Sequence, residues 1–174
     1  EVVLAAVAAD GSAFEHADDS MRTNKEFVLK VLAVSGEALE FASAKLQADK
    51  EVVLAAMVQY GGALQHAEAF SDDKEVVLAA LKQGDGNPMR YMSANLKADR
   101  EIVLAGVAQD GAGLRYASAE LQADRELVLV AVGQDGCALE YAAEALRADE
   151  EVVRMAKEND EAALKFASAE LQGV

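Results

Sequence analysis

An all-α solenoid of seven tandem two-helix repeats, with about fourteen short helices, is the architecture this chain predicts. Three observations point to it. The first is repetition. ADREIVLAGVAQDG at 98–111 is followed by ADRELVLVAVGQDG at 123–136 and preceded by ADKEVVLAAMVQYG at 48–61. Aligned on the glutamate that opens each copy, the units start at Glu1, Glu26, Glu51, Glu75, Glu101, Glu126 and Glu151. Their lengths are 25, 25, 24, 26, 25, 25 and 24 residues, so seven copies account for all 174. Self-similarity at a fixed period marks a stacked array. The second is composition: the chain is 52% hydrophobic, has no Trp, and has a single proline, Pro88. Its apolar residues are mainly Ala, Val and Leu; with Glu, Gln, Lys and Arg they include the best helix formers. One proline enforces few breaks. The third is punctuation that recurs in every unit.

The first helix of a unit is expected to begin after Asp49, Asp73, Asp99, Asp124 or Asp149, with Asn24 in the same place. Such residues accept a hydrogen bond from an orphan backbone N–H of the first turn. The glutamate two residues on adds negative charge where the helix dipole favours it. The helix is expected to stop near Gly11, Gly36, Gly61, Gly111 or Gly136, through the left-handed closure that glycine allows. The second helix carries A-L-x-[YFH]-A-x-x-x-L. Leu114, Ala117 and Leu121 fall at three- and four-residue steps, one stripe of a helix. A helix of about 10 residues is marginal alone, so each pair must bury its stripe against the next. Residues 1–174 thus read as one α-solenoid domain, right-handed and gently curved. Small residues at the fifth position (Ala5, Ala55, Ala79, Ala105) place the first helices on the crowded inner side. Lys30, Val130 and Met155 break that series.

A period near 25 residues excludes tetratricopeptide and ankyrin repeats, which need about 33–34, and HEAT or armadillo repeats, which need about 40 or more. Leucine-rich repeats need an L-x-L strand and an Asn ladder; neither is present. The motif L-x-A-D-[KR]-E-V-V-L-x-A-V-x-Q-x-G-x-A-L-x-[YF]-A is clearest in LKADREIVLAGVAQDGAGLRYAS at 96–118. It resembles an uncharacterised repeat family classed as a domain of unknown function, and the resemblance runs the length of the chain. It implies an algal or protist source, or a bacterium living inside protists. It brings no catalytic residue and no ligand.

Charge and cysteine content narrow the function. The formal charge is −15, from 31 acidic and 16 basic residues. Phosphate backbones are bound by an excess of Lys and Arg, so nucleic acid and anionic membrane surfaces are not expected partners. A basic protein partner is compatible with the charge. The lone cysteine, Cys137, permits no intrachain disulfide, and nothing argues for an oxidising compartment. An intracellular location is expected. No apolar run approaches the roughly 18–20 residues that cross a bilayer, so no membrane insertion is expected. The chain opens directly with EVVLAAV, which reads as a segment of a longer protein.

No constellation for catalysis, cofactor or metal emerges. His16 and His66 belong to a ladder of rings with Phe41, Tyr91, Tyr116, Tyr141 and Phe166. The two histidines should stand on the order of 20 Å apart for helix layers ~9–10 Å thick, too far to share a zinc ion. Asp10, Asp110, Asp135 and Asp160 form one carboxylate per unit, and read as solvated turn residues. Cys137 has no histidine beside it in sequence, so it reads as a structural thiol. Ser43, Ser118 and Ser168 are repeat positions. KQGDGNPMRYM at 82–92 lacks a P-loop pattern; its extra residue reads as a widened turn, with Asn87 as an N-cap and Pro88 in the first helical turn.

Positions that vary between units are where function can be written. Candidate interaction residues are Lys30, Gln59, Gln83, Gln109 and Gln134 on the first helices, and Arg90 and Arg115 on the second. The arginines are expected to pair with neighbouring glutamates. The last unit, 151–174, reads as a C-terminal cap. Arg154 and Lys157 replace apolar residues and Glu161 replaces the glycine. The first unit keeps Leu4 and Val7 and reads as an unfinished face. Phe70, Met89 and Met92, if clustered at the surface, would mark a partner interface. The expected function is a non-enzymatic protein–protein interaction or scaffold module. Its settings are a free adaptor or a peripheral subunit of a larger complex, an algal organelle or photosynthetic one included. The alternative is a regulatory or targeting region of a longer enzyme.

Overall fold

A computed structural model describes residues 2–172, so Glu1 and the last two residues lie outside the description. The described residues are helical throughout, with no strand, in tandem repeats of three elements rather than two. A first α-helix, such as Arg125–Gln134, is followed by a six-residue 3-10 helix, Gly136–Tyr141, and a four-residue α-turn, Glu144–Arg147. The chain forms two compact units, Glu1–Met92 and Ser93–Val174.

The single second helix expected from Leu114, Ala117 and Leu121 is thus broken, and there are more elements than fourteen. The break has a cause. Ala117 and Ser118 are extended, with ψ of 156° in both. The freed N–H of Ser118 donates to Lys97 O in the preceding repeat at 2.8 Å. Ser43 N–H reaches Arg22 O at 3.0 Å, Ala143 N–H reaches Gln122 O at 2.9 Å, and Ser168 N–H reaches Arg147 O at 2.8 Å. Each break exchanges a bond within a helix for one between repeats, so the backbone N–H freed there keeps a partner. All three stripe residues are still buried. The side-chain amide of Gln122 then returns to Leu114 O at 3.1 Å, as Gln47 does to Leu39 O at 3.0 Å.

The N-caps form as expected. Asp49, Asp73, Asp99, Asp124 and Asp149 each accept from a backbone N–H in the first turn of their helix, and Asn24 accepts from Phe27 N–H. The glycines behave differently. Among the described residues, positive φ occurs only at Gly84 and Gly86, both 72°, and at Asn87, 51°. Gly36, Gly61, Gly111 and Gly136 are needed for space. A Cβ there would lie 2.5 Å from Ala56 O, 2.3 Å from Ala80 O, 2.3 Å from Ala131 O and 2.4 Å from Ala156 O respectively. Each of those carbonyls belongs to the sixth residue of the next unit's first helix.

Within each unit the first helices pack side by side and the 3-10 helices stack in a second layer. This is solenoid packing, in which a repeat buries its apolar face only on its neighbours. Counted from the opening glutamate of the unit, the second, third, sixth and seventh positions are buried, as in Leu127, Val128, Ala131 and Val132. Leu139 and Leu146 close the core from the second layer and the short turn. The small residue that lets the repeats approach is therefore the sixth, not the fifth: Ala55, Ala79 and Ala105 are only half-buried.

The base between the N-cap and the opening glutamate links successive repeats. Lys25 pairs with Asp49 at 2.7 Å and Glu51 at 2.9 Å, and Lys50 with Asp73 at 2.7 Å and Glu75 at 2.8 Å. Arg100 reaches Asp124 and Glu126, both at 2.7 Å, and Arg125 reaches Asp149 and Glu151. Asp49, Asp73 and Asp124 thus each serve their own helix with one oxygen and the preceding repeat with the other. These hydrogen-bonded bases hold the carboxyls of Asp49, Asp73, Asp124 and Asp149 below the ordinary value of 3.8. Their stabilisation is complete above that value and is lost as pH falls through the lowered one. Asp124→Asn keeps a cap, as Asn24 does, but loses the ion pair, whereas Asp124→Ala loses both. Urea denaturation at pH 7 should rank wild type above Asp124→Asn above Asp124→Ala, with loss of the cap alone costing about 1 kcal/mol. Between pH 7 and pH 3, Asp124→Asn should lose less stability than wild type.

Candidate functional site

Of the expected interaction residues, Gln59, Gln83, Gln109 and Gln134 are exposed at the ends of first helices. Lys30 is exposed and paired with Glu26 at 2.7 Å. Arg90 and Arg115 lie in the 3-10 helices Pro88–Tyr91 and Gly111–Tyr116. Among the described residues Arg115 makes no ion pair with a glutamate; its guanidinium lies 4.6 Å from the centre of the Tyr116 ring. Arg90 lies 5.8 Å from that of Tyr91. Two residues expected at a partner surface are core instead: Met89 and Met92 are buried, because they stand at the repeat positions that Leu114 and Ala117 fill in the core of the fifth unit. Asn87 makes no side-chain cap. It is itself left-handed, and Pro88 opens the short 3-10 helix Pro88–Tyr91.

The aspartates of the ladder are caps as well as turn residues, exposed at Asp10 and Asp160 and half-buried at Asp110 and Asp135. Asp10, Asp110, Asp135 and Asp160 each accept from the backbone N–H two residues on, at 2.9–3.1 Å, at the start of a 3-10 helix. Cys137 donates its S–H to Asp160 at 3.3 Å. That bond and burial push the thiol up, the opposite of what a nucleophile needs. Among the described residues no three His, Cys, Asp or Glu side chains gather so as to hold a metal ion. No described helix is long and apolar enough to cross a membrane.

One departure from the repeat rule lies in Glu1–Met92. Ser35 and Tyr60 stand where the first, fifth, sixth and seventh units have a capping aspartate, and neither makes the cap. The Tyr60 ring lies against Gly62 and Gly86, where a Cβ would come within 2.5 Å and 2.6 Å of Tyr60 atoms. The unit at 51–74 is one residue short. Ala67 has ψ of 48°, against 155° at Ala42, and a 3-10 turn, Glu68–Phe70, replaces the short α-turn. Two cavities adjoin this irregularity. One, of about 150 Å³, is lined by Ser12, Glu37, Glu40, Phe41, Tyr60, Gln65 and His66. The other, of about 360 Å³, runs between 44–48 and 65–69 and shares Gln65 and His66. His66 Nε2 is 3.8 Å from Glu40 Oε2, and Tyr91 donates its hydroxyl to Gln65 Oε1 at 3.2 Å. Burial, and then the charge of Glu37, raise the Tyr60 phenol, which keeps its proton at neutral pH.

A family model described as a domain of unknown function (DUF4116) matches residues 1–47, 49–97, 73–122, 99–147 and 124–172. The last four matches begin at the capping residues Asp49, Asp73, Asp99 and Asp124. The chain belongs to the DUF4116 family. None of the curated proteins compared matches the chain, and none of the solved structures does.

The last DUF4116 repeat differs at the positions that meet a following neighbour. Arg154 and Lys157 are exposed and, with Glu150, Val153, Leu164 and Leu171, line an open cavity of about 310 Å³. Glu161 is exposed where a glycine would face a carbonyl. Glu150 stands where Lys25, Lys50, Lys74, Arg100 and Arg125 stand. At the other end Val2 is 84% exposed, whereas its counterparts Val52, Val76 and Val152 are fully buried.

Proposed function

We propose that this chain is a non-enzymatic interaction or scaffold module, and that it binds a protein partner at the 3-10 face of its second to fourth repeats. The observation that supports the reading is where the repeat rule fails. Elsewhere the cap, the close-approach glycine and the bridging base serve stacking. In the second and third repeats Ser35 and Tyr60 replace the capping aspartate and Glu68–Phe70 replaces the short α-turn, and of these Tyr60 and Glu68 line two adjoining cavities. Rigid stacked repeats hold such a surface in place, and extended repeat surfaces are suited to partners that lie along them.

The reading is tested by isolating the native protein from its source under mild conditions, with mass spectrometry of what accompanies it. A stoichiometric protein partner, cross-linked within 37–70, is the expected result. Recovery of the chain alone, or cross-links confined to 100–172, would contradict it.

A further inference from the structure

We infer that the smaller cavity, between Phe41, Tyr60 and His66, is a subsite for an arginine side chain of a basic peptide segment. The assignment rests on the interaction reading above and names its partner chemistry.

The ring ladder carries the argument. In three repeats the residue before the ring is basic and covers it from within. Arg90 lies over Tyr91, Arg115 over Tyr116 at 4.6 Å, and Lys165 over Phe166 at 4.6 Å. In the second and third repeats the preceding residues are Glu40 and Gln65, so Phe41 and His66 have no cation of their own. Both rings open on the cavity instead, and Tyr60 supplies a third. The sixth repeat shares the order Glu140–Tyr141, but its neighbour has Asp160 where the groove has Tyr60.

Charge points the same way. Glu37 and Glu40 line the cavity, Glu68 lines the adjoining one, and no lysine or arginine lines either. Aromatic faces beside carboxylates suit a guanidinium, which stacks on a ring and forms paired hydrogen bonds with an acid. A volume of about 150 Å³ is that of a cavity able to hold a benzene-sized group, and a guanidinium with part of its stem is of that size. The larger groove beside it has room for the peptide on either side of the arginine. The net charge of −15 favours the approach of a basic segment.

The test is fluorescence anisotropy of the intact chain with a fluorescein-labelled Gly-Arg-Gly-Arg-Gly peptide at physiological salt. The double variant Glu37→Gln, Glu40→Gln should bind at least about tenfold more weakly. Glu120→Gln, Glu144→Gln, which removes the same charge from exposed sites elsewhere, should change binding by less than about twofold. Tyr60→Ser should weaken binding with both carboxylates retained. A lysine version of the peptide should bind several-fold more weakly. Failure of the wild type to bind the arginine peptide, equal losses in the two double variants, or equal binding of the lysine peptide would overturn the assignment. If a partner isolated with the native chain still binds Glu37→Gln, Glu40→Gln undiminished, the arginine subsite falls while the interaction reading stands.

Discussion

Gly111→Ala is expected to destabilise the chain by about 3 kcal/mol, the upper range for over-packing. The new Cβ would sit 2.3 Å from Ala131 O, 2.9 Å from Asp135 N and 3.0 Å from Asp135 Cβ. Two of these atoms are backbone, so no side chain can swing aside to relieve the clash. The first helix of the next repeat must move, together with the core it carries. Gly136→Ala should behave alike, because Ala156 O is 2.4 Å from its Cβ. The control is Glu161→Ala at the equivalent position of the last repeat. That residue is exposed, and its replacement should change stability by no more than about 0.5 kcal/mol. Urea midpoints of the three variants decide the matter. Equal effects at 111 and 161 would show that the glycine serves local backbone conformation and not the approach of a neighbour.

Leu139→Ala is expected to cost about 3–4 kcal/mol, within the range for a fully buried leucine in a core that relaxes incompletely. Leu139 has no exposed surface and sits between the first-helix layers of its own and the following repeat. Leu164 holds the same place in the last repeat and is half-exposed at the terminal face. Leu164→Ala should cost roughly half as much, since less apolar area returns to water. The pair measures burial due to the following repeat, with sequence position in the unit held constant. Equal losses would mean that the second layer is stabilised within each repeat and not between repeats.

Much of the fold is legible in the sequence because it is written many times. The period, the helical class and the N-caps follow from A-D-[KR]-E and its spacing. The broken second helix does not, since Ala117 and Ser118 are compatible with helix by propensity. Only the carbonyl of Lys97, a whole repeat earlier in the chain, draws the Ser118 N–H out of it. The glycines are visible as a signal, but their reason is not: both a left-handed closure and a close approach demand glycine, and only the position of Ala131 O separates them. The bridging bases leave a signal that can be read, a Lys or Arg held between two acids at the repeat period. At Glu150 that base gives way to an acid, beside the repeat that carries Arg154, Lys157 and Glu161.

The candidate groove is the least legible part. The missing residue in 51–74 and the insertion in 75–100 both show in the alignment, but nothing in the sequence places Tyr60 against Gly62 and Gly86. Nor does the sequence reveal that Phe41 and His66 face one cavity. It instead singles out Gln59, Gln83, Gln109 and Gln134, which mark the exposed ends of first helices. Recurrence at those positions reflects helix ends repeated along the array.

Hydrogen exchange of the intact chain, alone and with the partner isolated from its source, tests most directly the claim that function lies where the repeat rule is broken. Protection on binding should concentrate in 37–41 and 60–70, with the helices of 100–159 unchanged. Protection confined to the exposed ends near Gln109 and Gln134, or to the face of Arg154 and Lys157, would contradict it.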